Sequence, residues 1–156
     1  MRIHAICALL VCSAAIPNAL PQTNMGPLKA LTTNSHYFAD ATGKAVYLTG
    51  SHTWDDFQDT DLTTSPAAFD FNSFVSFLKG HGHNATILWR KDLPTYCAWG
   101  PGGNWHMSPF PWQRTGGSNG KHIASDGLPA FDFTQFNQAY FDRLRSRVVE
   151  LQQNGI

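Results

Sequence analysis

Apolar positions fall at helical spacing in two places along the chain and in an unbroken run in a third. Phe71, Phe74, Val75 and Leu78 stand at i, i+3, i+4 and i+7 behind Asp70. That spacing predicts a helix with one buried face, capped by the Asp70 carboxylate and ended by Gly80 or Gly82. Ala85-Thr86-Ile87-Leu88-Trp89 follows at once, with no alternation of apolar and polar residues. Such a run predicts a strand covered on both faces, as in parallel sheets. Tyr140, Leu144, Val148 and Leu151 predict a second helix starting near Asn137.

Earlier in the chain, His36–Ala39 and Lys44–Thr49 flank Asp40-Ala41-Thr42-Gly43. Two β-rich runs around an Asp…Gly turn predict a hairpin. The final residues, Gln152-Gln153-Asn154-Gly155-Ile156, read as a helix leaving through glycine into a strand that begins at Ile156. On this reading the chain is the opening segment of a larger domain.

After Arg90 comes a stretch of roughly forty-five residues without clear periodicity, longer than the loops usual inside compact domains and therefore a candidate functional region. It carries Tyr96, Trp99, Trp105, Phe110 and Trp112 among several prolines and glycines. A short echo also appears: Ala68–Phe74 matches Ala130–Phe136 in five of seven positions. It reads as two βα units approaching their helices alike, with chance similarity in a Phe-rich chain as the competitor.

Composition narrows the class. Charged residues make up 14% of the 156, apolar residues 42%, and the formal net charge is zero. Nothing suggests a disordered segment, and no basic excess suggests nucleic acid. Residues 1–19 have the layout of a secretory signal peptide: Arg2 and His4, an apolar run from Ile6 to Ala15, then small residues. About ten apolar residues cannot span a bilayer core of roughly 30 Å, so no membrane association beyond export is expected. The product is expected to be secreted or held in the cell envelope. A lipoprotein variant would use Cys12. Removing the leader leaves Cys97 alone, either a small buried side chain or one paired outside this sequence. Residues 20–35 read as an irregular lead-in and 36–156 as the domain.

A hairpin followed by about two βα units, with a third strand due, predicts the N-terminal part of an incomplete α/β (β/α)8 TIM barrel. The rival, an open doubly wound sheet, lacks its glycine-rich phosphate loop. Barrels place their reactive groups where strands end and βα loops begin. Here those places are Gly50–Asp56 and the segment from Trp89 onward.

Tyr47-Leu48-Thr49-Gly50-Ser51-His52-Thr53-Trp54 and His81-Gly82-His83-Asn84 leading to Leu88-Trp89-Arg90 resemble secreted glycoside hydrolases of the apiosidase-like and cellulase-like barrel group. Phe110-Pro111-Trp112-Gln113-Arg114-Thr115-Gly116, Asp126-Gly127 and the segment from Phe131 to Leu144 extend the resemblance over nearly all of 36–156. It implies a (β/α)8 fold and hydrolysis of glycosidic bonds by two carboxylates. It also implies that this pair lies at later strand ends, beyond Ile156, so no catalytic residue is assigned within the chain.

The candidate substrate-binding residues are His52, Trp54, Asp55, Arg90, Tyr96, Trp99 and Trp105. His52 and Trp54 alternate with Thr53 and so can face one side, where a tryptophan stacks on the apolar face of a sugar. Core packing is the competing role. Asp55 and Asp56 point opposite ways on extended backbone, which suits a cap or a sugar contact better than a catalytic pair. Arg90, if buried, needs an acidic partner, and a structural pair with a strand-end carboxylate competes with sugar binding. Tyr96, Trp99 and Trp105 can wall a cleft or form the loop's own small core. His81 and His83 have metal-like spacing on the side of the fold away from the expected site, and neither metal nor cofactor is expected. Asn84-Ala85-Thr86 is a glycosylation sequon that opens a strand. Three functions remain open: a glycosidase acting on polysaccharide or oligosaccharide, a non-catalytic carbohydrate-binding relative, and a gene fragment without function.

Overall fold

The computed structural model describes residues 27–54, 56–97, 104–117 and 119–156. The leader, Asp55 and Trp99 lie outside them. The elements run β1 (Lys29–Leu31), β2 (Asn34–Ala39), β3 (Ala45–Val46), β4 (Asp59–Asp61), α1 (Phe71–Gly80), β5 (Thr95–Cys97), β6 (Asn104–Ser108), β7 (Trp112–Arg114), β8 (Phe131–Phe136) and α2 (Gln138–Gln153). The strands form three small antiparallel sheets, ordered β1-β2-β3, β4-β6-β5 and β7-β8.

This corrects the expected barrel. Among the described residues, parallel pairing is confined to one bridge, between Gly50 and Ala85. The bridge is well made. Thr49 O accepts from the N–H groups of Asn84 and Ala85 at 2.9 and 3.1 Å, and Thr49 N–H donates to Asn84 Oδ1 at 2.9 Å. It does not extend because side chains take the next groups. Thr86 Oγ1 donates to Ser51 O at 2.8 Å, Trp89 N–H donates to Asp56 Oδ1 at 2.6 Å, and Lys91 N–H donates to Gln58 Oε1. A ladder needs main-chain acceptors at those positions. Nor is the 85–89 segment covered on both faces, since Ile87 is 57% exposed.

The segment after Arg90 is not the structureless loop the pattern suggested. It holds β5, β6, β7 and β8, and β6 is the central strand of its sheet. The echo also divides. Asp70 accepts from Ser73 N–H at 3.0 Å and Ser73 Oγ at 2.7 Å, capping α1. Asp132 instead accepts from Thr134 N–H at 3.0 Å and from Thr134 Oγ1 at 2.6 Å inside β8, whose partner is β7. The two unmatched positions, Asn72-Ser73 against Thr134-Gln135, help separate the outcomes, because β-branched threonine favours strand.

The first hairpin and both helices form where the pattern indicated, although β1 and the start of β2 fall within the 20–35 stretch expected to be irregular. Phe38 pairs with Val46 and Ala39 with Ala45 across a turn in which Thr42 N–H donates to Asp40 Oδ1 at 2.9 Å. Gly43 there has φ +83°, a conformation that glycine adopts at little cost. Phe71, Val75 and Leu78 of α1 bury against Leu151 of α2, with Phe69, Phe74, Leu88 and Ile156 around them. The inward stripe of α2 differs from expectation. Tyr140, Arg147 and Leu151 are buried, whereas Val148 is 48% exposed. Arg147 lies inward because its guanidinium donates to Asp56 O and sits 4.7 Å from the Phe71 ring centre.

Candidate functional site

The site grows from a buried polar segment, Asp56-Phe57-Gln58-Asp59, running under an aromatic surface. All four residues are buried. Burial of polar groups is tolerable only where partners replace water, and here the partners come from four separate segments. Asp56 Oδ1 holds Trp89 N–H, while Asp56 O accepts from Arg147. Gln58 accepts from Lys91 N–H and donates through Nε2 to Pro109 O at 2.9 Å. Asp59 accepts from Phe69 N–H at 3.0 Å and from Arg143 at 2.8 Å. Phe57 fills the space between, edge-on to Tyr140 at 4.9 Å.

Above this segment the rings of His52 and Trp54 both stack on Trp89. The centroid separations are 5.4 and 6.4 Å, at interplanar angles of 8° and 17°. Trp54 is 41% exposed and Trp89 37%. The Lys91 ammonium lies 4.2 Å from the Trp54 ring centre and 6.0 Å from that of Trp89. Three aromatic rings, two of them stacked on Trp89 and one with the Lys91 ammonium over its face, form a partly open aromatic platform.

Asp56 is the electrostatically unusual group beneath it. Burial is the largest influence and pushes its carboxyl up to about 6, against the lowering effects of Trp89 N–H, His52 and Arg147. Its Oδ2 is buried with no hydrogen-bond partner among the described residues. Since the residue is wholly buried, the carboxyl reaches the platform through the Trp89 backbone and not through a ligand. Burial also lowers the pKa of Arg147 from its ordinary value, with nearby Arg143 acting in the same direction.

The structure stacks both His52 and Trp54 on Trp89. Trp89 and the adjacent Lys91 are not among the candidate residues, although both lie in the segment from Trp89 onward that was expected to carry reactive groups. The available signal was an aromatic residue at the end of the run facing the His52-Thr53-Trp54 segment. Arg90 lies close in sequence, but it pairs with Asp92 in an exposed contact, the two side chains being 51% and 78% exposed. The buried strand-end pair expected for it is absent among the described residues. Exposed pairs of this kind contribute little to stability. Tyr96 and Trp105 are cross-strand partners on β5 and β6, in the sheet that includes β4. Trp105 is half-buried there.

His81 Nδ1 donates to Phe77 O at 2.8 Å and His83 Nδ1 hydrogen-bonds Thr49 Oγ1 at 3.0 Å, so each ring has a local role. Asn84 of the sequon donates through Nδ2 to Tyr47 O at 2.9 Å while its Oδ1 accepts from Thr49. Among the described residues no group of three or more His, Cys, Asp or Glu is arranged to hold a metal ion, and no helix is long and apolar enough to cross a membrane. Comparison with family models, with curated proteins and with solved structures gave no match to this chain.

Proposed function

We propose that the protein acts on carbohydrate, and that His52, Trp54 and Trp89 form the sugar-contacting surface of an exported glycoside hydrolase-like protein. The observation that carries this reading is the stacked, partly open array of the three rings. Aromatic faces pair with the C–H face of a pyranose, and the surrounding polar groups meet its hydroxyls. The resemblance of 47–54 and 81–90 to glycoside hydrolases points the same way. Under this reading the substrate is a polysaccharide or oligosaccharide, and cleavage requires two carboxyl groups roughly 5–9.5 Å apart.

A second reading is sugar binding without cleavage, because the acid beneath the platform, Asp56, is wholly buried and out of reach of a ligand. One pair of assays on the full chain separates the readings. Affinity gel electrophoresis against xylan, β-glucan, homogalacturonan and glycol chitin detects binding, and release of reducing ends from the same polymers detects hydrolysis. Retardation with release supports the glycosidase, and retardation alone supports the binding protein. Migration unchanged in every gel, with no reducing ends released, removes both.

A further inference from the structure

We propose that the cleft bounded by Phe110, Trp112 and Phe131 is a second sugar subsite, taking a further ring of the same glycan that the Trp54–Trp89 platform holds. This rests on the carbohydrate reading above. One side chain joins the two places: Gln58 accepts from Lys91 N–H, beside the platform, and donates to Pro109 O, in the cleft wall, at 2.9 Å. The amide of a single glutamine therefore spans the distance between their backbones.

The cleft encloses about 350 Å³, near the lower end of the roughly 300–1,000 Å³ common to small-molecule sites. Its apolar walls are rings. Buried Phe110 backs Phe131 at 5.0 Å, and half-buried Trp112, edge-on to Phe133 at 5.0 Å and 89°, supplies the accessible aromatic wall. Its polar lining holds Ser108, Arg114 and two side-chain amides in the same state. Gln113 Nε2 donates to Phe136 O at 3.2 Å and Asn137 Nδ2 donates to Phe110 O at 2.9 Å. Each amide oxygen is left without a hydrogen-bond partner among the described residues.

That combination selects the class of ligand. A wholly apolar ligand would leave both acceptors unmet, at a cost in desolvation. An anionic ligand gains little, because the Arg114 guanidinium is already paired with Asp126, donates to Pro129 O at 3.0 Å and lies 4.2 Å from the Phe131 ring centre. A neutral ring bearing hydroxyl donors, with one apolar face, satisfies both the aromatic walls and the amide oxygens.

The test uses the full chain with its tryptophan indoles labelled with nitrogen-15. It is titrated with xylobiose and xylohexaose, and with cellobiose and cellohexaose, while indole N–H shifts and affinities are recorded. The disaccharide should shift Trp54 and Trp89. The hexasaccharide should also shift Trp112 and bind about tenfold more tightly, a difference of about 1.4 kcal/mol. Trp112→Ala and Gln113→Ala should bring hexasaccharide affinity down to the disaccharide level and leave disaccharide binding unchanged. Trp112→Phe, which keeps an aromatic wall, should retain most of the gain. Gln113 is exposed, so its substitution reads the cleft without disturbing the core. A hexasaccharide that moves Trp54 and Trp89 but not Trp112, and binds both alanine variants at wild-type strength, overturns the second subsite and leaves the platform standing. If neither these sugars nor the hexamers of galacturonic acid and N-acetylglucosamine move any indole, the carbohydrate reading falls and the subsite with it.

Discussion

The Asp56 carboxylate accepts the backbone N–H of Trp89 at 2.6 Å, and through that bond a wholly buried acid fixes the height of an aromatic platform. Its other oxygen has no partner among the described residues. The carboxyl is therefore held where ionisation is unfavourable, and the chain must ionise it to keep a charged acceptor under Trp89.

The first prediction concerns pH. The Asp56 pKa rises from 3.8 in the unfolded chain to about 6 in the folded one. Below the lower value both states bind the proton, so the group has no effect on stability there. Between about 4 and 6 the unfolded state releases the proton first, and stability falls as pH rises; above 6 the loss is complete. The full difference is at most about 3 kcal/mol at roughly 1.4 kcal/mol per pH unit. Asp56→Asn removes this ionisation, so the melting temperature of the variant minus that of wild type should rise by several degrees from pH 4 to pH 6.5. A difference that stays flat across that window contradicts the assignment.

Gly50 has no room for a side chain. A Cβ placed there would lie 2.1 Å from Ala85 O and 2.8 Å from Ala85 C, both backbone atoms. Gly50→Ala must push the two segments apart and break the parallel bridge, at about 3 kcal/mol or more. Urea denaturation should register that loss. Faster hydrogen exchange at the Asn84 and Ala85 amides, both bound to Thr49 O, should accompany it.

Leu78 is fully buried against Phe71, Val75 and Leu151. Leu78→Ala deletes three heavy atoms from the contact between α1 and α2 and should cost about 2–5 kcal/mol. The platform rings lie outside this cluster, so Trp54→Ala, which loses the stack on Trp89 and the contact with Lys91, should lower the unfolding free energy in urea by only about 0.5–1.5 kcal/mol. The pair of melts distinguishes a residue that holds the fold from one that faces solvent.

Trp54→Ala should act on binding instead. Losing one stacking face is worth about 0.5–1.5 kcal/mol, or roughly a two- to tenfold weaker association with whichever polysaccharide retards the wild type. Gel retardation of the variant on that polymer measures it, and Trp54→Phe should recover part of the loss.

Much of this molecule was local and therefore legible. The α1 stripe, the Asp70 cap and the Asp40–Gly43 turn depend on residues within a few positions of one another, and their chemistry is written in consecutive side chains. The alternation of His52 and Trp54 was legible for the same reason, but their shared stacking on Trp89 was not. The echo of Ala68–Phe74 in Ala130–Phe136 misled, because identical Phe and Asp residues serve a helix cap in one place and an antiparallel strand in the other.

Sequence by itself determined where the helices and the first hairpin form, because hydrogen bonds and periodic burial there are satisfied within a single stretch of chain. Only the tertiary structure decided that 47–51 and 83–86 meet at one parallel bridge and stop, that Arg147 instead of Val148 turns inward, and that Trp89 joins the platform. Each of those outcomes turns on which distant group supplies a buried donor or acceptor with its partner. Asp56 and Gln58 took the N–H groups that a continuing ladder would have used, and no periodicity along the chain encodes that competition.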